Sequence, residues 1–148
     1  MMTLDEAILK RRSIRSYDME ELEPELIDEL VDFLSELKVP DDSIEWNFDI
    51  LPLDDMRNIL NGIPRLQAPH YLVIRSEKIK NCLQNAGYIG EMAVLWLTAH
   101  GIATCWQSTL DVEPEHDFPD VLPYITTVAF GRSDEPFRQD PSEIKKKK

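Results

Sequence analysis

Apolar positions recur along the chain with two different periods, and the switches between them mark its elements. Leu4, Ala7 and Ile8 share a helical face, and Thr3 followed by Glu6 has the form of a capping box, so a short helix is predicted to run to about Arg11. Pro24 suits the first position of a second helix, whose buried stripe is Leu26, Leu30, Phe33, Leu34 and Leu37. After a turn at Pro40-Asp41-Asp42-Ser43 the period changes to two. Ile44, Trp46, Phe48 and Ile50 alternate with Glu45, Asn47 and Asp49, which predicts a half-buried strand. A short helix follows over Leu53 to Asn61, ended by Gly62 and Pro64, and Tyr71 to Ile74 is a compact apolar strand.

The strongest helical pattern runs from Lys78 to His100 and stops at Gly101. It is apolar on most sides between Ala86 and Ala99, which predicts a central, buried helix. Ala86, Gly87, Gly90 and Ala93 are small enough for another backbone or a flat ligand to approach, and core packing accounts for them equally well. Ile102 to Gln107 and the β-branched run from Tyr124 to Phe130 read as strands, with a polar, proline-containing loop from Asp111 to Pro123 between them. Four strands set among helices imply an α+β fold, a mixed central sheet flanked by helices, in one domain over residues 1–148. The Lys145–Lys148 run is expected to be a flexible tail.

Charge changes the picture at one place. The chain has a formal net charge of -12, yet Lys10, Arg11, Arg12 and Arg15 fall within one short stretch beside Ser13. A cation cluster at a helix C-terminus complements the helix dipole, and it also makes an anion site. There is no G-x-G-x-x-G and no Walker A loop, so a phosphate here would be held by guanidinium forks. The acidity opposes general nucleic-acid binding, which needs a wide basic face. No apolar run approaches membrane-spanning length. Cys82 and Cys105 form no ligand pair and imply reduced thiols in a cytoplasm, and the three scattered histidines do not compose a zinc site. His70, after a proline and before a strand, is expected to be structural.

Arg11-Arg12-Ser13-Ile14-Arg15-Ser16-Tyr17 resembles the arginine-rich N-terminal motif of the nitroreductase-like, FMN-dependent oxidoreductases. Ala68 to Ile74, Asn85 to Gly90, Gly101 to Trp106 and Phe130-Gly131-Arg132 to Arg138 resemble that family's later elements in the same order, so the likeness touches nearly the whole chain. The resemblance implies a nitroreductase-like fold and a homodimer with FMN where two subunits meet. It implies ping-pong hydride transfer from NADH or NADPH, through the flavin, to a nitro compound, a quinone or a similar acceptor. Carried over by position, Arg11, Arg12 and Ser13 would hold phosphate and ribityl oxygens, and Arg15 would lie near the flavin pyrimidine edge. Cys105, Trp106, Gln107 and Ser108 would line the ring, and Arg138, with Arg132, would complete the phosphate grip. No residue is assigned as a protein acid or base, since hydride transfer relies on stacking distance and orientation.

The chain departs from the family in one respect. The Pro-Ser-x-x-Asn-x-Gln-Pro-Trp-like segment expected between Val39 and Pro69 is missing, which leaves Asn47, Asn58 and Asn61 as candidates for a flavin-contacting asparagine. The alternative reading is a non-catalytic flavin-binding or interaction protein that retains the fold, and a further one is a small-anion or nucleotide-binding regulator using the same arginines.

Overall fold

The computed structural model describes residues 1–60, 64–107 and 121–144. Its elements are α1 (Leu4–Lys10), α2 (Pro24–Ser35), β1 (Trp46–Pro52), α3 (Leu53–Ile59), β2 (His70–Ser76), α4 (Cys82–Ala99), β3 (Ala103–Trp106), β4 (Tyr124–Gly131) and a single 3-10 turn at Pro141–Glu143. This is the expected α+β arrangement. Ser108, most of the 111–123 loop, the Asn61-Gly62 end of the third predicted helix and the lysine run lie outside the described residues.

The strands form one sheet in the order β1-β2-β4-β3. Each neighbouring pair is antiparallel, with Phe48 opposite Ile74, Leu72 opposite Val128 and Cys105 opposite Ala129. The sheet is thus antiparallel where a mixed one was expected; among the described residues the one parallel contact is an isolated bridge between Ser13 and Thr104, outside the four strands. Alternation along the strands sorts the side chains into two layers. Leu72, Ile74, Val128 and Phe130 join Leu30 and Leu34 of α2 and Ile89, Ala93 and Leu97 of α4 in the larger core. Tyr71, Val73, Cys105 and Ala129 point the other way and pack with Met56 of α3. Tyr17 lies against this second layer, so the chain just after the arginine cluster is part of the packing.

Two helix ends set the path of the chain. Gly101 has φ +77, its N–H bonds Thr98 O at 2.9 Å, and Ile102 N bonds Leu97 O at 2.9 Å. That pair is a Schellman motif, and it turns the chain from α4 directly into β3. At the other end α4 begins at Cys82, four residues later than the apolar pattern suggests, because Asn81 adopts a left-handed conformation with φ 73. β1 likewise starts at Trp46 and not at Ile44, since Asp41 Oδ1 accepts from Ser43 N at 3.1 Å and prolongs the turn.

The small-residue positions on α4 have a definite occupant. A Cβ at Gly90 would stand 2.1 Å from the Trp106 ring, so the indole lies directly on the helix backbone there. Gly87 faces open space. At the sheet edge, Gly131 is required by Pro69, whose Cγ would be 2.6 Å from an added Cβ.

Candidate functional site

Local physics places the arginine cluster. Thr3 caps α1 by accepting from Glu6 N at 3.1 Å, and Ala7 packs in a small core with Leu95 and Ala99 of α4. The helix therefore ends at a fixed point, and Arg11, its C-cap residue, is already in extended conformation. The next residues run beside β3. Ile14 N donates to Thr104 O at 3.0 Å and the Ile14 side chain is fully buried. With Ile14 as an inward peg, its neighbours Ser13 and Arg15 are turned outward.

The C-terminal segment meets this strip. Arg138 N donates to Lys10 O at 2.9 Å, and Arg138 Nη1 donates to Arg11 O at 2.9 Å. Lys10 Nζ donates to Gln139 O at 3.2 Å. A cavity of about 470 Å³ opens between the two segments, lined by Arg11, Arg12, Ser13, Arg15, Arg138 and Glu143. Four guanidinium groups, a hydroxyl and one carboxylate thus share a single space. Arg12 meets Glu135 at 3.2 Å, whereas Arg11, Arg15 and Arg138 enter no ion pair among the described residues. The Nε atoms of Arg11 and Arg12 are buried with no hydrogen-bond partner among those residues. Buried donors on permanent cations need an acceptor, and a phosphate offers acceptor oxygens of opposite charge. The donor set fits the phosphate of FMN on that ground.

The remaining candidates lie elsewhere. Arg132 pairs with Glu23 at 2.7 Å, holding that carboxylate below its usual range through the hydrogen bond and the nearby positive charge, and it lines a separate cavity with Tyr17, Ser133 and Glu135. The structure does not bring Arg132 to the arginine cavity. Trp106 donates from Nε1 to Glu91 Oε2 at 3.4 Å and rests on Gly90. Cys105 is buried on the opposite face of the sheet, and Gln107 Nε2 folds back to Trp106 O at 2.9 Å. None of these three lines the arginine cavity. Asn47 and Asn58 are exposed and do not line it either, and Asn61 lies outside the described residues.

Three groups carry signals that the sequence pattern missed. Tyr17 has a buried hydroxyl with no partner among the described residues, and its burial, with the Cys105 thiol beside it, pushes the phenol far up. Only its place at the end of the arginine motif pointed to it. Glu135 and Glu143 touch the cluster from positions that nothing in an acidic sequence singles out. His70, by contrast, is structural as expected. Its Nε2 accepts from Leu22 N at 2.9 Å, its ring stacks on Phe130, and burial lowers its pKa. No cluster of His, Cys, Asp and Glu suited to a metal occurs among the described residues, and no described helix is long and apolar enough to cross a membrane.

The sequence model of the family described as “Putative TM nitroreductase” matches residues 3–148. No curated protein matches. Solved structures do. A nitroreductase family protein from Clostridium difficile 630 superposes with a TM-score of 0.75 at 17% identity, covering 95% of this chain and 89% of that one. A nitroreductase with bound FMN from Bacteroides fragilis NCTC 9343 gives 0.71 at 16%, covering 100% and 94%. A protein from Thermotoga maritima described as a “putative nitroreductase” gives 0.61 at 24%, covering 91% of this chain and 50% of that one, so the present chain spans half of its length.

Proposed function

The chain belongs to the nitroreductase family matched across residues 3–148, and from that premise we propose that it is an FMN-dependent NAD(P)H oxidoreductase. The observation that carries the reading is the convergence of Arg11, Arg12, Ser13 and Arg15 with Arg138 on one cavity, in a chain of net charge -12. FMN held by these residues would supply hydride chemistry between NADH or NADPH and a nitro compound, a quinone or a similar acceptor.

What the chain contributes is binding and electrostatics. Arg11 and Arg12 present buried Nε–H donors, Ser13 adds a hydroxyl, and Arg138 completes the grip while tying the two ends of the chain together. Arg15 is exposed at the same cavity and takes the pyrimidine-edge role, where a fixed cation stabilises the negative charge of reduced flavin. Trp106, the last residue of β3, and Gln107 just after it take the ring-lining role, while Cys105 faces the buried layer behind them, and a second copy of the chain closes the site as a homodimer. Both cysteines are free, which suits a reducing cytoplasm.

The test is spectroscopic. The purified protein is expected to be yellow, or to take up added FMN, and anaerobic NADH or NADPH is expected to bleach it rapidly. A colourless protein that refuses FMN overturns the reading. The rival reading, a flavin-binding protein without turnover, draws on Asn47 and Asn58 lying away from the cavity, and it requires FMN that neither nucleotide bleaches.

A further inference from the structure

We propose that Glu135 is a positioning residue for phosphate recognition, its carboxylate fixing the Arg12 guanidinium against the Ser16 backbone so that the other Arg12 donors serve the anion. This rests on the reading of the arginine cavity as a phosphate site.

The turn that carries Glu135 is locked to the arginine segment at several points. Asp18 N donates to Arg132 O at 2.8 Å, Ser133 Oγ donates to Ser16 O, and Glu135 N donates to Ser133 Oγ at 3.1 Å. From this braced position the two carboxylate oxygens divide their work. Oε2 accepts from Ser16 N and Oε1 accepts from Arg12 Nη2, each at 3.2 Å. One guanidinium N–H is thereby fixed to the backbone frame, and the buried Nε–H of the same side chain is left without a protein acceptor. Glu135 does not line the arginine cavity; it lines the neighbouring one with Ser16, Tyr17 and Asp18. It therefore acts from behind Arg12 and leaves the phosphate's place open.

A carboxylate near an anion site also repels the anion, so two effects compete. The Arg12 and Glu135 side chains are 37% and 40% exposed, and water and salt screen the repulsion. The entropy of ordering a long, free arginine, in contrast, falls wholly on binding when nothing holds it beforehand. Pre-ordering wins, and loss of the Glu135 side chain weakens phosphate binding.

The experiment titrates FMN and riboflavin, which lacks the phosphate, against wild type, Glu135→Ala, Glu135→Gln, Arg12→Ala and the Arg12→Ala/Glu135→Ala double variant. Glu135→Ala is expected to weaken FMN about tenfold, the size of one charge-assisted hydrogen bond, and to leave riboflavin unchanged. Glu135→Gln keeps one acceptor oxygen but turns an N–H2 group toward the other donor, so it is expected to lose affinity for FMN as well, by no more than Glu135→Ala, and again to leave riboflavin unchanged. In the Arg12→Ala background the second substitution changes nothing further. The positioning role is overturned if Glu135→Ala binds FMN as well as or better than wild type, if FMN and riboflavin weaken equally, or if the two losses add. A wild type with no preference for FMN over riboflavin overturns the phosphate reading itself, and this inference with it.

Discussion

Arg138 Nη1 donates to the backbone carbonyl of Arg11 at 2.9 Å, a bond between residues 127 positions apart. It closes the C-terminal end of α1 and at the same moment brings a fourth guanidinium to the arginine-lined cavity. One side chain thus carries both readings of the basic cluster, the helix-end cation and the phosphate ligand. The two are compatible because a guanidinium has five donors and the carbonyl needs only one.

Replacing Arg138 by Ala is therefore expected to lower FMN affinity by roughly 10- to 100-fold, the worth of about 1.5–3 kcal/mol for a hydrogen bond to a charged group. Riboflavin binding should change little. Fluorescence titration with the two flavins checks this, and equal losses for both would assign Arg138 to the fold alone.

Gly90→Ala is expected to destabilise the protein by about 1–3 kcal/mol, because the added methyl carbon would stand 2.1 Å from the Trp106 ring and the indole must move. Chemical denaturation should give a lower midpoint, and the cost should shrink in a Trp106→Ala background. Gly87→Ala, where the space is open, should not destabilise and serves as the matched control on the same helix.

Stability should fall as the pH is lowered through a window set by His70. Burial lowers its folded pKa below the ordinary 6.5, with the Glu21 carboxylate pulling weakly the other way. The unfolded ring then binds more protons than the folded one between those two values, so the neutral ring's contribution is complete above about 6.5 and is lost as pH falls through the window. Protonation also removes the Nε2 acceptor that Leu22 N uses. Unfolding free energies measured between pH 5 and 8 should show this slope, and His70→Gln should flatten it. Glu23, Asp41 and Asp140, held low by hydrogen bonds, lose their contributions only as pH falls below the ordinary carboxylate range.

Tyr17→Phe is expected to leave the flavin-free protein as stable as wild type or to stabilise it by up to about 1 kcal/mol. The hydroxyl it removes is buried and finds no partner among the described residues. A thermal melt of the two proteins decides it, and a marked fall in Tm would reveal a partner for the hydroxyl.

Much of this fold was legible because it follows from local rules. The capping box at Thr3 and Glu6, Pro24 at a helix start and Gly101 at a helix stop each act within a turn or two of chain. The basic cluster was legible because its charge opposes that of the rest of the sequence. Its completion was not legible from spacing. Glu135 reaches Arg12 across 123 positions, and in a chain with 28 acids no pattern distinguishes it. Gly90 could be read as room for a ligand or for a neighbour, and only the sheet register, which sets Trp106 opposite Val128, decides for the indole. The strand order escaped for the same reason, since β2 and β4 are adjacent in space while α4 and β3 lie between them in the chain.

The comparison of FMN with riboflavin on the wild-type protein tests the central claim most directly, since the two flavins differ by the one group proposed to sit in the cavity that Arg11, Arg12, Ser13 and Arg138 line. FMN should bind at least about a hundredfold more tightly, as expected for two or more charge-assisted hydrogen bonds, and the gap should narrow with added salt. Equal affinities, or a gap indifferent to salt, would contradict the account.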